Sequence, residues 1–356
     1  MNLLVLITGT GRSGTSTMSG TLHHLGLSVP GPHLGANASN PKGFYESSWA
    51  VDFHKRISAA ARINDFDSRP GAFARAQAVV TPEVRAELAS FLAEKSQGHT
   101  QVVVKDPRSV WAQALWRDAA ADAGLEIRYI SMLRHPAEVV GSRATYYAKQ
   151  SDEEKRRTYE TFNVARWINS SLLSEHETRG QQRAFVRYTD LLEDWRPVLG
   201  RIGSELGLTY DSDLTPGQAN PVDDFIDPGL RRHQVTWDDL DVPAELRDVA
   251  QSIWEAVSVL GDRAGADEAA SADLDRQAEH YRRIFTDSTA ISHDAIEEAK
   301  DEARRAGIAS VRAKAAPAPA PRKGPVPVAD RRVRDVGARD LLRTVAGRVK
   351  ARARRR

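Results

Sequence analysis

The stretch LLVLITGTGRSGTS, residues 3–16, constrains the fold of this chain more than any other. A short apolar run enters a turn with glycines at 9, 11 and 14. A helical pattern follows from Ser13 to His24, with Met18, Leu22 and Leu25 at i, i+4, i+7 and Gly26 as its closing cap. A buried strand that feeds a glycine-rich turn and then a helix aims backbone N–H groups and the positive end of the helix dipole at one point, which suits an anion. Gly9 and Gly14 have the spacing of a phosphate-binding loop. Yet Thr15 stands where a nucleoside triphosphatase keeps its lysine, and the positive charge has moved to Arg12, whose guanidinium can fork onto two oxygens. Ser13, Thr15, Ser16 and Thr17 add hydroxyl donors around it.

Beyond the loop, strand and helix patterns alternate through the first 210 residues. TPEVRAELASFLAEK (81–95) opens with a capping threonine and a proline and continues at helical spacing. QVVVKDP (101–107) reads as a β-branched strand, SVWAQALWRDAAADAG (109–124) as a helix, and IRYISMLR (127–134) as a strand, with Pro136 opening the next helix. A long amphipathic segment spans 152–180, RAFVRYTDLL (183–192) gives a fourth strand, and a helix runs on to Gly207. Apolar strands separated by helices predict an α/β domain, a P-loop-like parallel sheet flanked by helices on both faces. In such sheets ligands sit beyond the carboxyl ends of the strands, where Gly9–Ser16, Lys105–Arg108 and Arg134–Ser142 fall. The domain is expected to occupy 1–262, with a loop over the site and a closing helix within 208–262. A helical extension at 263–308, amphipathic over 273–285, and a Pro/Ala-rich linker with a basic tail at 309–356 should follow.

The glycine loop resembles the 5′-phosphosulfate loop of sulfotransferases that use 3′-phosphoadenosine 5′-phosphosulfate (PAPS), a family whose loop carries a glycine, a basic residue and Ser/Thr-Gly-Thr-Ser/Thr. The resemblance, to a bacterial branch, implies that Gly11, Arg12, Ser13, Gly14, Thr15 and Ser16 hold the phosphosulfate, with no metal required. LRHPAEVVGSR (133–143) resembles the family's 3′-phosphate motif, an arginine at a strand end and a serine eight residues on, here Arg134 and Ser142. Physically the first is a charge-assisted clamp and the second a neutral donor. Tyr188 resembles a tyrosine that lies near the adenine, and Arg231 with Arg232 resembles a late basic segment of the phosphate site. Lys105 resembles a lysine beside the sulfate, which makes Arg12 and Lys105 the candidates for the charge that develops in transfer.

Transfer of a sulfuryl group to a hydroxyl also needs a base. Pro107 occupies the place where many relatives use a histidine. NPKGFYES (40–47) resembles a segment found in bacterial members, which makes its Glu46 the preferred candidate, ahead of Asp106 and His33; the other reading of Glu46 is the N-terminal charge of a helix starting near Trp49. The acceptor is expected to be a glycan, a glycolipid or another small metabolite, and aromatic residues at 146, 147, 159, 162 and 167 are candidates for its cleft. The alternative function is a small-molecule kinase with Asp106 on magnesium. The chain has no cysteine, which excludes thiolate chemistry and cysteine-ligated metals. No run nears the roughly 18 apolar residues of a spanning helix, and the start reads as a strand rather than a signal peptide, so a cytoplasmic protein is expected. Residues from Ser310 onward carry 15 Lys/Arg against three Asp/Glu, and Leu341, Leu342, Val345 and Val349 share one side of the final segment. An anionic membrane surface is the partner this tail suits, with peripheral attachment; no specific nucleic acid is expected.

Overall fold

A computed structural model of the chain describes residues 2–37, 40–147, 152–227, 229, 234–315 and 337–353. The chain forms two compact units, Met1–Ala290 and Ile291–Arg356. The first is built on four parallel strands, β1 (Asn2–Thr8), β2 (Gln101–Lys105), β3 (Leu125–Leu133) and β4 (Arg183–Arg187), in the order β2-β1-β3-β4. The helices of this unit are α1 (Thr15–His24), α2 (Ser48–Ala61), α3 (Ala72–Gln77), α4 (Pro82–Lys95), α5 (Gln113–Asp122), α6 (Pro136–Tyr147) and α7 (Glu153–Thr178). After β4 come α8 (Tyr188–Glu193), α9 (Trp195–Leu206), α10 (Pro221–Phe225), α11 (Ala244–Asp262) and α12 (Glu268–Ile291).

The expected doubly covered sheet is present. Val5 and Ile7 of β1 pack with α1 and α9 on one face, while Leu4 and Leu6 pack with Phe53 of α2, Leu88 of α4 and Trp116 of α5 on the other. That is why β1 is a continuous apolar run rather than an alternating one. Each such side chain removed from water contributes about 1.5–3 kcal/mol. The register sets Ile7 beside both Lys105 and Ile130, and Thr8 beside Ser131. The chain therefore leaves β1, β2 and β3 at one edge, and the segments after Gly9, Asp106 and Arg134 meet there, at the point where the strand order reverses.

Several boundaries differ from the sequence reading, each for a local reason. Helix α1 starts at Thr15 rather than Ser13 because Gly14 takes a left-handed conformation, φ 88°. The helix expected over 109–124 is divided into a 3-10 turn, Pro107–Trp111, and α5, because the Asp106 carboxylate caps the turn by accepting from the Arg108 N–H. The fourth strand ends at Arg187, so Tyr188 opens α8 instead of lying in the sheet. The amphipathic stretch 273–285 is part of the 24-residue α12. Ala270, Leu274 and Tyr281 of this helix are buried with residues of α7 and α11, so the first unit continues past the expected boundary at 262.

The second unit holds α13 (His293–Ala315) and α14 (Ala338–Ala353). The Pro/Ala-rich linker expected between them lies outside the described residues.

Candidate active site

The turn between β1 and α1 is tied from below and open from above. Thr10 and Ser13 are buried and share a hydroxyl hydrogen bond of 2.5 Å, and the Ser13 N–H donates to the Thr10 carbonyl. Gly11, Arg12, Gly14 and Ser16 keep part of their surface in solvent, whereas Thr15 is buried. The first N–H groups of a helix have no acceptor within the helix, and Gly14 at the cap has no side chain to supply one. Arg12 itself is left-handed, φ 77°, a conformation that costs a non-glycine residue about 1–3 kcal/mol and persists only where the surroundings impose it.

Those surroundings are the second motif. Arg12 Nε donates to Ser142 Oγ at 3.1 Å, and Arg134 Nη1 donates to the Arg12 carbonyl at 3.1 Å. Arg134 Nε meanwhile donates to Glu138 Oε2 at 2.9 Å, a buried pair one helical turn apart. The two halves of the expected nucleotide site thus grip one another directly. Tyr188 completes this side: its ring lies under the Arg134 guanidinium, 5.2 Å to the centroid, and a Cβ added at Gly14 would fall 2.1 Å from it. Only glycine fits at that position. Tyr188, with 5% of its surface exposed, supports the loop and the arginine.

On the other side of the loop stands Lys105 at the end of β2, 2% exposed. Its ammonium donates to Ser16 Oγ at 2.8 Å, to the Phe44 carbonyl at 3.4 Å, and to Glu46 Oε1 in a buried ion pair. Glu46, Lys105 and the anion loop are therefore one constellation. Glu46 precedes α2, whose cap is Ser47. The Arg108 guanidinium lies 3.9 Å from Glu46 Oε2 and pairs with Asp65 at 3.2 Å. Arg108 also donates through Nε to Asp106 Oδ2 at 3.1 Å.

Asp106 has no exposed surface. His54 Nδ1 stands 2.8 Å from its Oδ2, and Trp116 Nε1 lies 2.8 Å from His54 Nε2. An indole N–H can only donate, so His54 Nε2 accepts, and its proton stands on Nδ1, donated to Asp106. Burial acts to raise the Asp106 carboxyl, but the His54 ring and the Arg108 guanidinium prevail and hold it below the usual carboxylate range. Both oxygens are bonded within the protein and neither meets solvent. His33, the other minor candidate, is exposed and bonds through Nε2 to the Val29 carbonyl at 3.0 Å.

Arg231 and Arg232 lie outside the described residues, as do the side chains of Tyr146 and Tyr147. Trp167 is buried in the core, while Tyr159 and Phe162 are half-buried and pack edge to face. Besides His54, four residues not singled out by sequence join the site. Arg143 donates to Asn163 Oδ1 at 3.2 Å, reaches the Gly11 carbonyl at 3.5 Å and lies over the Phe66 ring, 4.6 Å to the centroid. Glu138 holds Arg134. Of these, Glu138 was legible as the fourth residue after an arginine at a helix start; Phe66, Arg143 and Asn163 carry no spacing that marks them.

A profile described as the sulfotransferase family matches residues 5–212, the stretch that includes both halves of the site. Among solved structures, the chain is similar to the sulfotransferase domain of the olefin synthase from Synechococcus PCC 7002, at 18% identity over 79% of this chain and 94% of that one, with a TM-score of 0.36. It is likewise similar to the sulfotransferase domain from the curacin biosynthetic pathway, at 17% identity over 72% and 98%, with a TM-score of 0.40. A search of curated proteins finds no match.

Proposed function

Because the chain belongs to the sulfotransferase family, we propose that it moves a sulfuryl group from PAPS to the hydroxyl of a glycan, glycolipid or other small acceptor. What supports this reading most is the joining of the two anion motifs through Arg12, Ser142 and Arg134 around an open helix N-terminus. The residues present fit a donor with two anionic ends. The first-turn N–H groups of α1, with Gly11, Arg12, Ser13, Gly14, Thr15 and Ser16, form the phosphosulfate cradle. Arg134 and Ser142 take the 3′-phosphate end, and Arg231 is assigned there by its motif.

When bound, PAPS supplies the sulfuryl group and leaves as PAP (3′,5′-adenosine diphosphate). The protein contributes position and charge, as in the closely related transfer of phosphoryl groups. Arg12 is preset, because Ser142 orients its Nε and Arg134 fixes its carbonyl, so little freedom is lost when it meets an anion. Lys105, bonded to Ser16 of the cradle, carries the second positive charge. Glu46 is the base: its carboxylate takes the acceptor's hydroxyl proton as the oxygen bonds to sulfur, and Lys105 and Arg108 hold it in place.

The decisive experiment is a calorimetric titration with PAP, set beside ATP with magnesium. Tight binding of PAP that is indifferent to chelator is the expected result. Preference for ATP and magnesium would sink the proposal.

A further inference from the structure

The tail of the chain is not spent on the site described above, and α14 gives it a defined shape. Its 16 residues make a helix about 24 Å long. Leu341, Leu342 and Val345 are 39%, 69% and 55% exposed. At 100° per residue these three fall within about 100° of arc. Arg339, Arg343, Arg348 and Lys350 lie outside that arc, and the helix's only acidic residue, Asp340, falls on the opposite side. Arg352, in the last turn of the helix, falls within the arc at its C-terminal end, and Arg354 to Arg356 follow the helix in sequence.

We propose that α14 is an interfacial helix that docks the enzyme on a membrane surface rich in anionic lipid. The argument is the combination of faces. A basic helix that serves only phosphates needs no exposed leucines, and an apolar face that serves a protein partner needs no cationic border. Leucine and valine that enter the boundary between headgroups and acyl chains, with arginine and lysine reaching anionic headgroups beside them, use both features at once. Among the described residues no helix is long and apolar enough to cross a membrane, so attachment is lateral and reversible. The rest of the chain agrees: residues 1–309 carry −10 by formal charge against +12 from Ser310 onward. An anionic surface repels the body and attracts the tail, so the tail is the part that faces the lipid.

The experiment is sedimentation of the full chain with vesicles of phosphatidylcholine alone or with 30 mol%, roughly, of phosphatidylglycerol, a range that spans natural anionic surfaces. A triple variant, Leu341→Ser, Leu342→Ser and Val345→Ser, keeps every charge, and α14 lies outside the unit that carries the site. Wild type is expected to bind the anionic vesicles and not the neutral ones. The variant should bind at least about tenfold more weakly, because it loses the apolar share of the interaction. Equal binding by the variant would overturn the proposal, since charge alone would then suffice. So would failure of wild type to bind vesicles while it retards a nucleic acid fragment, an outcome that assigns the basic surface to nucleic acid. Titration of the same variant with PAP reads the catalytic unit separately, so the two proposals fail independently.

Discussion

At Glu46 two demands meet: a base must accept a proton, and Lys105 holds the same carboxylate in a buried ion pair. Breaking such a pair from one side leaves an uncompensated charge and costs about 3–5 kcal/mol. Glu46→Gln alone therefore tests folding and chemistry together. Pairing it with Lys105→Met separates them. Each single variant should lose about 3 kcal/mol in denaturant unfolding, and the double variant should regain more than half, because no charge is left stranded. Turnover should stay at least about 100-fold down wherever Glu46 is replaced, the usual share of a general base. Recovery of turnover in the double variant would reduce Glu46 to a structural partner. Arg12 makes a second prediction. Arg12→Lys keeps the charge but loses the Nε bond to Ser142 and the two-pronged donor. It is expected to lower kcat/KM about as far as Arg12→Ala, roughly 100- to 1,000-fold; rescue by lysine would show that charge alone is used. Arg12 and Lys105 could be found in the sequence because loop spacing and a strand end mark them, and Glu46 through the resemblance of its segment to the family. His54, Phe66 and Arg143 could not, since they reach the site from a helix interior, a loop and the last residue of a motif, where nothing in the local pattern signals contact across 50 to 130 positions.

Among the elements, the strands were the most legible, because a sheet covered on both faces demands uninterrupted apolar runs. Turns were less so, because their form depends on tertiary partners. The 3-10 turn Pro107–Trp111 exists where a helix was expected because Asp106 accepts from the Arg108 backbone, the Arg108 side chain and His54 at once. That latch carries Arg108 toward Glu46. Asp106→Asn should loosen it, with a pH dependence whose sign follows from the shift. The folded carboxyl titrates below its unfolded value of about 3.9. Its stabilisation is therefore fully present above that value and is lost as pH falls through the lower folded one. Wild type should exceed Asp106→Asn in stability by a constant margin between about pH 6 and 8, and the margin should shrink below about pH 4. Unfolding curves of the two proteins across this range check it; a margin that is flat down to about pH 3 would mean that the latch does not act through the ionised form.

For the molecule as a whole the question is where the catalytic body ends, since the sequence reading sets the domain's end at 262 and the compact unit runs to Ala290. The segment after Asp262 is polar on average, so it reads as an extension. Yet Leu274 and Tyr281, spaced seven apart on α12, are buried at 1% and 3%, and the Tyr281 hydroxyl donates to the Ser68 carbonyl at 2.5 Å. Arg179 binds Asp275 through two bonds of 2.9 Å. A helix can belong to a core through a narrow stripe while its composition stays hydrophilic. Leu274 and Tyr281 alone contribute about 2 kcal/mol each by burial, against the roughly 5–15 kcal/mol that a whole domain has. A chain ending at Asp262 should therefore be poorly soluble or unfold at markedly lower temperature. One ending at Ala290 should keep the melting temperature of the full chain and its affinity for PAP, because the described contacts of the site lie within that unit. Thermal melts of both truncations, with and without PAP, distinguish the two boundaries. If the shorter chain melts with the longer one, α12 is an appendage and the body ends with α11.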